Sequence, residues 1–198
     1  MSLWYRALMA SKRGRPTADE RAKRQERVLE VATELFLSRG YEAVSLDAVA
    51  GTAGIAKRTL YESIGDKSAL FCAVVRRQHR YTEPESEPSD LVQAAEAVHR
   101  SLMTDQAVAL HRVVIAAAVS FPELAKEFYA NGPAVAQAFL AKHLVDAGGS
   151  PESAPLLFSL LLGERHRRRL LGLDAEPTAE ESRVQIAEAV AVVLGDIA

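Results

Sequence analysis

The chain carries one cysteine, Cys72, among 198 residues, so no intramolecular disulfide can form within it. A reducing compartment agrees with that, and a small buried packing residue is the expected role of Cys72, ahead of a reactive thiol sensor. Long apolar runs are missing too: none approaches the roughly 18 residues that a membrane-spanning helix requires. The opening MSLWYRALMASKRGR places its bulky apolar residues before its basic ones and lacks the apolar stretch of a secretory leader. A cytoplasmic protein with no membrane partner is therefore expected. GxSxG, the P-loop, a strand-associated GxGxxG, HExxH and any Cys/His cluster are all absent. The five histidines, at positions 79, 99, 111, 143 and 166, read as surface or packing residues. The expectation is a protein that is not an enzyme, with no catalytic residue, no metal and no cofactor.

Hydrophobic residues make up 48% of the chain and charged residues 25%, which suits one or two domains with proper cores and is too apolar for general disorder. The net charge of −2 conceals a division. Residues 1–81 hold 15 Lys and Arg against 9 Asp and Glu, net +6, whereas residues 82–198 hold 9 against 17, net −8. A basic part joined to an acidic one suits a DNA-reading head on a body that does other work. The segment 82–90, TEPESEPSD, has two prolines and four acids and is the one obvious linker. Three regions follow: a flexible basic arm over 1–16, ending in SKRGRP, a helix-turn-helix domain over 17–81, and a helical domain over 82–198.

The most compact pattern is 45–67, SLDAVAGTAGIAKRTLYESIGDK. Ser45 suits an N-cap, Asp47 suits the positive end of a helix, and Leu46, Val49 and Ala50 make an apolar i, i+3, i+4 face. Gly54 supplies the permissive backbone of a tight turn, Ile55 can plug the gap between helices, and 57–63 can form a second helix. On that helix Leu60 and Ile64 face inward, which leaves Lys57, Arg58 and Tyr61 projecting. Arginine can read guanine bidentately, while lysine and the tyrosine hydroxyl commonly hold phosphate. Asp66 caps a further helix beginning at Lys67, where side chain and helix end can meet a phosphate together. Upstream, Thr17 with Glu20 forms a capping box for a helix ending at Gly40, whose polar face carries Arg21, Lys23, Arg24 and Arg27.

The run from Val28 through Phe71, including ATELFLSRGY, AGIAKRTLY and the Asp66–Lys67 to Leu70–Phe71 close, resembles the N-terminal domain of TetR-family (AcrR-like) transcriptional regulators. The resemblance implies an all-α fold, with an N-terminal three-helix domain containing the helix-turn-helix and a C-terminal helical ligand-binding and dimerisation domain. It implies that Ser45 and Lys67 contact phosphate, that Lys57, Arg58 and Thr59 sit at the groove, and that Tyr61 binds the DNA backbone. Two positions depart from the family: Ala56 stands where a serine N-cap is usual, and Ile64 where an aromatic is usual.

From Leu91 onward only helices are expected, over about 91–103, 106–120, 122–128, 133–147, 156–173 and from a second capping box at Thr178 and Glu181 to the end. Ser89 is the expected cap of the first and Thr104 of the second. The segment 121–133, FPELAKEFYANGP, also resembles the ligand and dimerisation domains of many TetR proteins. Candidate effector contacts are Met103, His111, Arg112, Phe121, Phe128, Tyr129 and Phe158. Leu160, Leu161, Val190 and Val193 offer strips for an isologous four-helix dimer contact, whereas in a monomer the same strips would simply be core. The run 165–169, RHRRR, spreads over all helix faces; a solvated or ion-paired helix is expected, with Glu164 and Arg168 one available pair, and an arginine aimed at an anionic effector the sharper alternative. The resemblance implies a homodimeric repressor on an inverted-repeat operator of double-stranded DNA, released when an unidentified small molecule shifts the heads from a spacing of roughly 34 Å. The alternatives are a DNA-binding architectural or recruitment protein without a small ligand, and a helical enzyme or carrier.

Overall fold

The computed structural model describes residues 17–77 and 88–195. The basic arm over 1–16 and the expected boundary at 81/82 lie outside the described residues. Among those described there are ten α-helices and no strand. They are α1 (Ala18–Ala43), α2 (Leu46–Ala53), α3 (Lys57–Ile64), α4 (Lys67–Arg77), α5 (Leu91–Leu102), α6 (Asp105–Ala117), α7 (Pro122–Asn131), α8 (Pro133–Asp146), α9 (Ala154–Leu170) and α10 (Ala179–Leu194).

Local chemistry accounts for most of these ends. Thr17 and Glu20 satisfy each other's backbone N–H groups at 2.8 and 3.2 Å, starting α1. α1 does not stop at Gly40 but kinks there, at φ 75 and ψ 169, and its last turn folds Tyr41 back into the core. Gly54 takes the left-handed conformation expected of the turn, φ 70 and ψ 33, and Ile55 N–H closes onto Ala50 O at 3.0 Å. Asp90, not Ser89, caps α5, its carboxylate accepting from Gln93 N–H at 2.8 Å. Asp is as good a cap as Ser and sits one residue nearer the helix. Thr104 caps α6, and Thr178 with Glu181 forms the capping box of α10.

Two apolar cores result. The first joins Val28, Ala32 and Phe36 of α1, Val49 of α2, Leu60 of α3 and Leu70, Phe71 and Val74 of α4 to Leu110, Val114 and Ala117 of α6 and Leu124 of α7. The three-helix head is thus closed on one side by helices from beyond the linker. The second core joins α5, α8, α9 and α10 through residues such as Val98, Leu140, Leu157, Leu161 and Ile186. Of the strips read as dimer contact or core, Leu161 and Val190 belong to this core, and the large exposed apolar side chains on the last two helices are Leu156, Val184 and Val192.

α9 is broken in the middle. Gly163 adopts φ 57 and ψ −163, which frees the carbonyls of Leu160 and Leu161. Gln185 Nε2 donates to both, at 3.0 and 2.9 Å, and His99 Nδ1–H donates to Leu161 O at 2.8 Å. A Cβ at position 163 would lie 2.9 Å from Gln185 Nε2 in a backbone region that only glycine occupies readily. Gly163→Ala should therefore cost about 1–3 kcal/mol from backbone strain. Urea denaturation of the variant checks this; an unchanged midpoint would mean that α9 straightens freely.

The RHRRR run is mostly ion-paired. Arg165 meets Glu181 at 3.0 Å, Arg167 meets Glu164 at 2.5 Å, and Arg168 meets Asp174 at 2.9 Å, so Glu164 pairs with Arg167 and not with Arg168. Arg169 is buried, its guanidinium donating to Met103 O and Asp105. Of the surface-or-packing reading of the histidines, packing is what the fold shows: His99, His143 and His166 are buried and His111 is half-buried, while His79 lies outside the described residues.

Candidate functional site

The short helix α3 presents its charged face to solvent. Arg58 is 88% exposed and pairs with Glu62 one turn on, at 2.6 Å. Lys57 bonds Asp47 of α2 at 2.7 Å, a contact that pushes its pKa up, and sits 5.7 Å from the centre of the exposed Tyr61 ring. Thr59 is half-buried and turns toward α1, sharing a cleft with Arg21 and Arg24. These two arginines extend the charged surface beyond the expected set; their position on the polar face of α1 was the available signal. Ser45 is exposed and its Oγ caps α2, accepting from Ala48 N–H at 3.2 Å. No side chain caps α3 at Ala56.

Not every basic residue nearby is free for a ligand. Arg27 donates to Ala53 O at 3.2 Å, closing α2, and Arg77 meets Glu26 at 2.5 Å. Lys67 is half-buried, and its ammonium donates to Tyr41 O at 3.0 Å and Glu42 O at 3.2 Å while lying 4.4 Å from the Tyr41 ring centre. Burial lowers its pKa. Lys67 thus braces the kinked end of α1 against the start of α4. Asp66 caps α4 as expected, accepting from Ala69 N–H at 2.8 Å.

A polar joint connects α4 to α7. Ser68 Oγ and Cys72 Sγ both donate to the Glu127 carboxylate, the latter at 3.2 Å. Arg76 donates to Asn131 Oδ1 at 3.0 Å, and Asn131 Nδ2 donates to Glu127 O at 2.8 Å. Burial, then the Glu127 contact, pushes the Cys72 thiol up to about 12. The aromatic rings of Phe36, Tyr41, Phe71 and Phe121 pack beside this joint, with centroids 5.0 to 5.8 Å apart.

Behind the joint lies a cavity of about 80 Å³ between α4, α6, α7 and α9. Val75, Leu110, Phe128, Phe158 and Leu162 line it, with His111 and His166 as its polar side chains. Of the seven expected effector contacts, His111, Phe128 and Phe158 reach the cavity. Phe121 packs on Tyr41 instead, and Tyr129 is exposed and accepts from Gln137 at 3.4 Å. Arg112 caps the end of α9 through Leu170 O and Arg169 O, and Met103 is buried at the end of α5, where its carbonyl receives Arg169. The walls Val75, Leu110 and Leu162 were not among the expected contacts, and His166 is the polar cavity residue that sequence reasoning missed. Its helix position placed it among arginines, and nothing local marked the face it would occupy.

Residues 28–74 match the family model described as bacterial regulatory proteins of the tetR family. Residues 89–196 match the model for the C-terminal domain of AefR-like transcriptional repressors. Among curated relatives, the chain is similar to the HTH-type transcriptional activator FasR of Mycolicibacterium smegmatis, 39% identical over 57 residues. That match covers 29% of this chain and spans 26% of the activator's length. Among solved structures, it is similar to the flavonoid-responsive regulator FrrA, with 28% identity, a TM-score of 0.65, and coverage of 88% of this chain and 97% of the other. A TetR regulator from Agrobacterium tumefaciens shares the fold at 23% identity and a TM-score of 0.64, covering 87% and 93% of the two chains. A helix-turn-helix with an exposed basic recognition face, carried on a helical body whose model match spans more than half the chain, places this protein in the TetR family of bacterial regulators, and it is a DNA-binding transcription regulator.

Proposed function

We propose that the chain acts in the cytoplasm as a homodimeric repressor, without enzymatic activity, and leaves an inverted-repeat operator when a small molecule occupies the cavity. The observation that carries this reading is the position of α7. Phe128 of α7 lines the cavity, while its neighbour Glu127 holds Ser68 and Cys72 of α4, the helix that follows the recognition helix. A ligand that displaces Phe128 moves Glu127 with it and biases the head, which is the differential contact that coupling between two sites requires. The name of the similar regulator FrrA supports a small-molecule effector. The similarity to the activator FasR falls on a short stretch and leaves activation as the second reading.

In this reading Arg58 reads a base, Lys57, Tyr61 and Ser45 hold phosphate, Thr59 flanks the groove, and Lys67 acts chiefly by bracing α1 against α4. The Lys57–Asp47 and Arg58–Glu62 pairs are solvent-exposed surface pairs, so exchanging them for DNA contacts costs little. Selection from random duplexes by the purified protein should yield an inverted repeat. On it, Arg58→Ala should relax the choice at one base pair per half-site by about 1–3 kcal/mol. Lys57→Ala should weaken all sequences nearly equally and lower the salt slope by about one. Uniform loss in both variants would overturn this division of roles, and failure to select any sequence would remove the operator.

A further inference from the structure

The cavity has an unusual polar inventory. Its walls are hydrocarbon and aromatic apart from two imidazoles, His111 on α6 and His166 on α9. Their ring centroids lie 5.3 Å apart, and His111 stands at the same distance from Phe128, so three flat rings form a stepped column along one side. His166 is only 7% exposed, yet neither ring makes a hydrogen bond to the protein among the described residues. His99 Nε2 and Arg169 Nε are also unpartnered, but they are sealed and belong to side chains outside this cavity, whereas His111 and His166 form part of its wall.

A neutral imidazole offers one N–H donor and one acceptor nitrogen. Two of them beside an apolar slot leave donors and acceptors unmet, each costing free energy until a partner arrives. We propose that the cavity selects a small aromatic molecule bearing a hydroxyl group, whose oxygen accepts from one imidazole while its O–H donates to the other and its ring stacks in the column with Phe128. The proposal rests on reading the cavity as the effector site.

Alternatives fit less well. A hydrocarbon would leave both imidazoles unsatisfied. A carboxylate only accepts, and its natural partner would be a protonated ring. Burial, then His111 and Arg169, hold His166 down at about 4, so charging it at neutral pH disfavours such a complex by about a thousandfold. Burial lowers His111 as well. The nearby Arg169 guanidinium is already committed to Met103 O and Asp105. Size narrows the class further. The free volume of about 80 Å³ is roughly half of the ~150 Å³ that admits benzene, so even one ring must push the walls apart. Two walls lead to the head: Val75 on α4 itself, and Phe128, whose neighbour Glu127 holds Ser68 and Cys72 of α4.

The test uses the full chain at pH 7.5 with phenol, toluene and benzoate as probes, read by calorimetry and by the imidazole ¹⁵N resonances. Phenol should bind at least about tenfold more tightly than toluene, the worth of roughly one net hydrogen bond, and should shift the resonances of both His111 and His166. Benzoate should bind more weakly than phenol. His111→Leu with His166→Leu should bind toluene and lose the preference for phenol. Equal affinity for phenol and toluene in the unaltered chain would overturn the hydroxyl assignment and leave the cavity as a ligand site, as would tighter binding of benzoate or a phenol preference that survives in the variant. If none of the probes binds and no imidazole resonance moves up to the solubility limit, the cavity reading falls together with this inference.

Discussion

Phe71→Ala should lower the unfolding free energy by about 3–5 kcal/mol, the usual cost of truncating a fully buried phenylalanine. Phe71 has no exposed surface and stands edge-on to Phe36 at 5.0 Å and to Tyr41 at 5.6 Å. Those rings tie α4 to the kinked end of α1, and the same core runs on into α6 and α7. The space left cannot be refilled by one mobile neighbour, because two rings and the buried aliphatic side chains of the first core surround it. Urea denaturation followed by circular dichroism should show an earlier midpoint with head and body helices lost together, since the first core contains both. A loss below about 1.5 kcal/mol would mean that the ring cluster collapses readily onto the gap. Operator binding should weaken at temperatures where the unaltered chain still binds, because the recognition helix depends on this core for its orientation.

The second large effect is acid sensitivity. His166 is held at about 4 in the folded chain against an ordinary value of 6.5, chiefly by burial and then by His111 and Arg169. At pH 7 the ring is neutral in the folded chain and mostly neutral in the unfolded one. As the pH falls below about 6.5 the unfolded chain takes up a proton that the folded chain refuses, so stability is lost down to about pH 4. The window corresponds to about 3 kcal/mol from this one side chain. Burial depresses His99 and His111 in the same direction and steepens the loss. His166→Phe removes the proton acceptor at similar volume. Its stability should fall less than that of the unaltered chain between pH 7 and pH 4.5, measured by urea denaturation at each pH. Parallel pH curves for the two proteins would show that His166 is not the group responsible.

The helix ends were legible in the sequence wherever one residue decides them. Thr17 with Glu20, Thr178 with Glu181, Thr104 and Gly54 each act on groups within a turn of themselves, so their roles survive into the folded chain unchanged. The exposed face of α3 was legible for the same reason: Leu60 names the inner side, and Lys57, Arg58 and Tyr61 follow from the helical period. Partnerships across the molecule were not. The period of α9 says which residues share a face, but the break at Gly163 rotates one half against the other, so the faces of Leu161, His166 and Arg169 depend on a glycine whose φ no local pattern announces. Lys67 shows the same limit. Its position at a helix start pointed to phosphate, whereas its ammonium found two carbonyls at the end of α1, 25 and 26 residues upstream. Phe121 and Tyr129 occupy the same helical hairpin region as Phe128, and a shift of one face separates a cavity wall from a core ring or an exposed one.

Cys72 has a consequence of another kind. Its thiol is buried, donated to Glu127, and raised to about 12, so almost none of it is thiolate at neutral pH and reagents that need the thiolate find nothing to attack. Reaction must await separation of α4 from α7. The rate of alkylation therefore works as a clock on that separation: with reagent in excess and reclosing fast, the slowed rate reports how rarely the joint opens, and any molecule that pries the cavity apart should make the clock run faster before a single base pair is released.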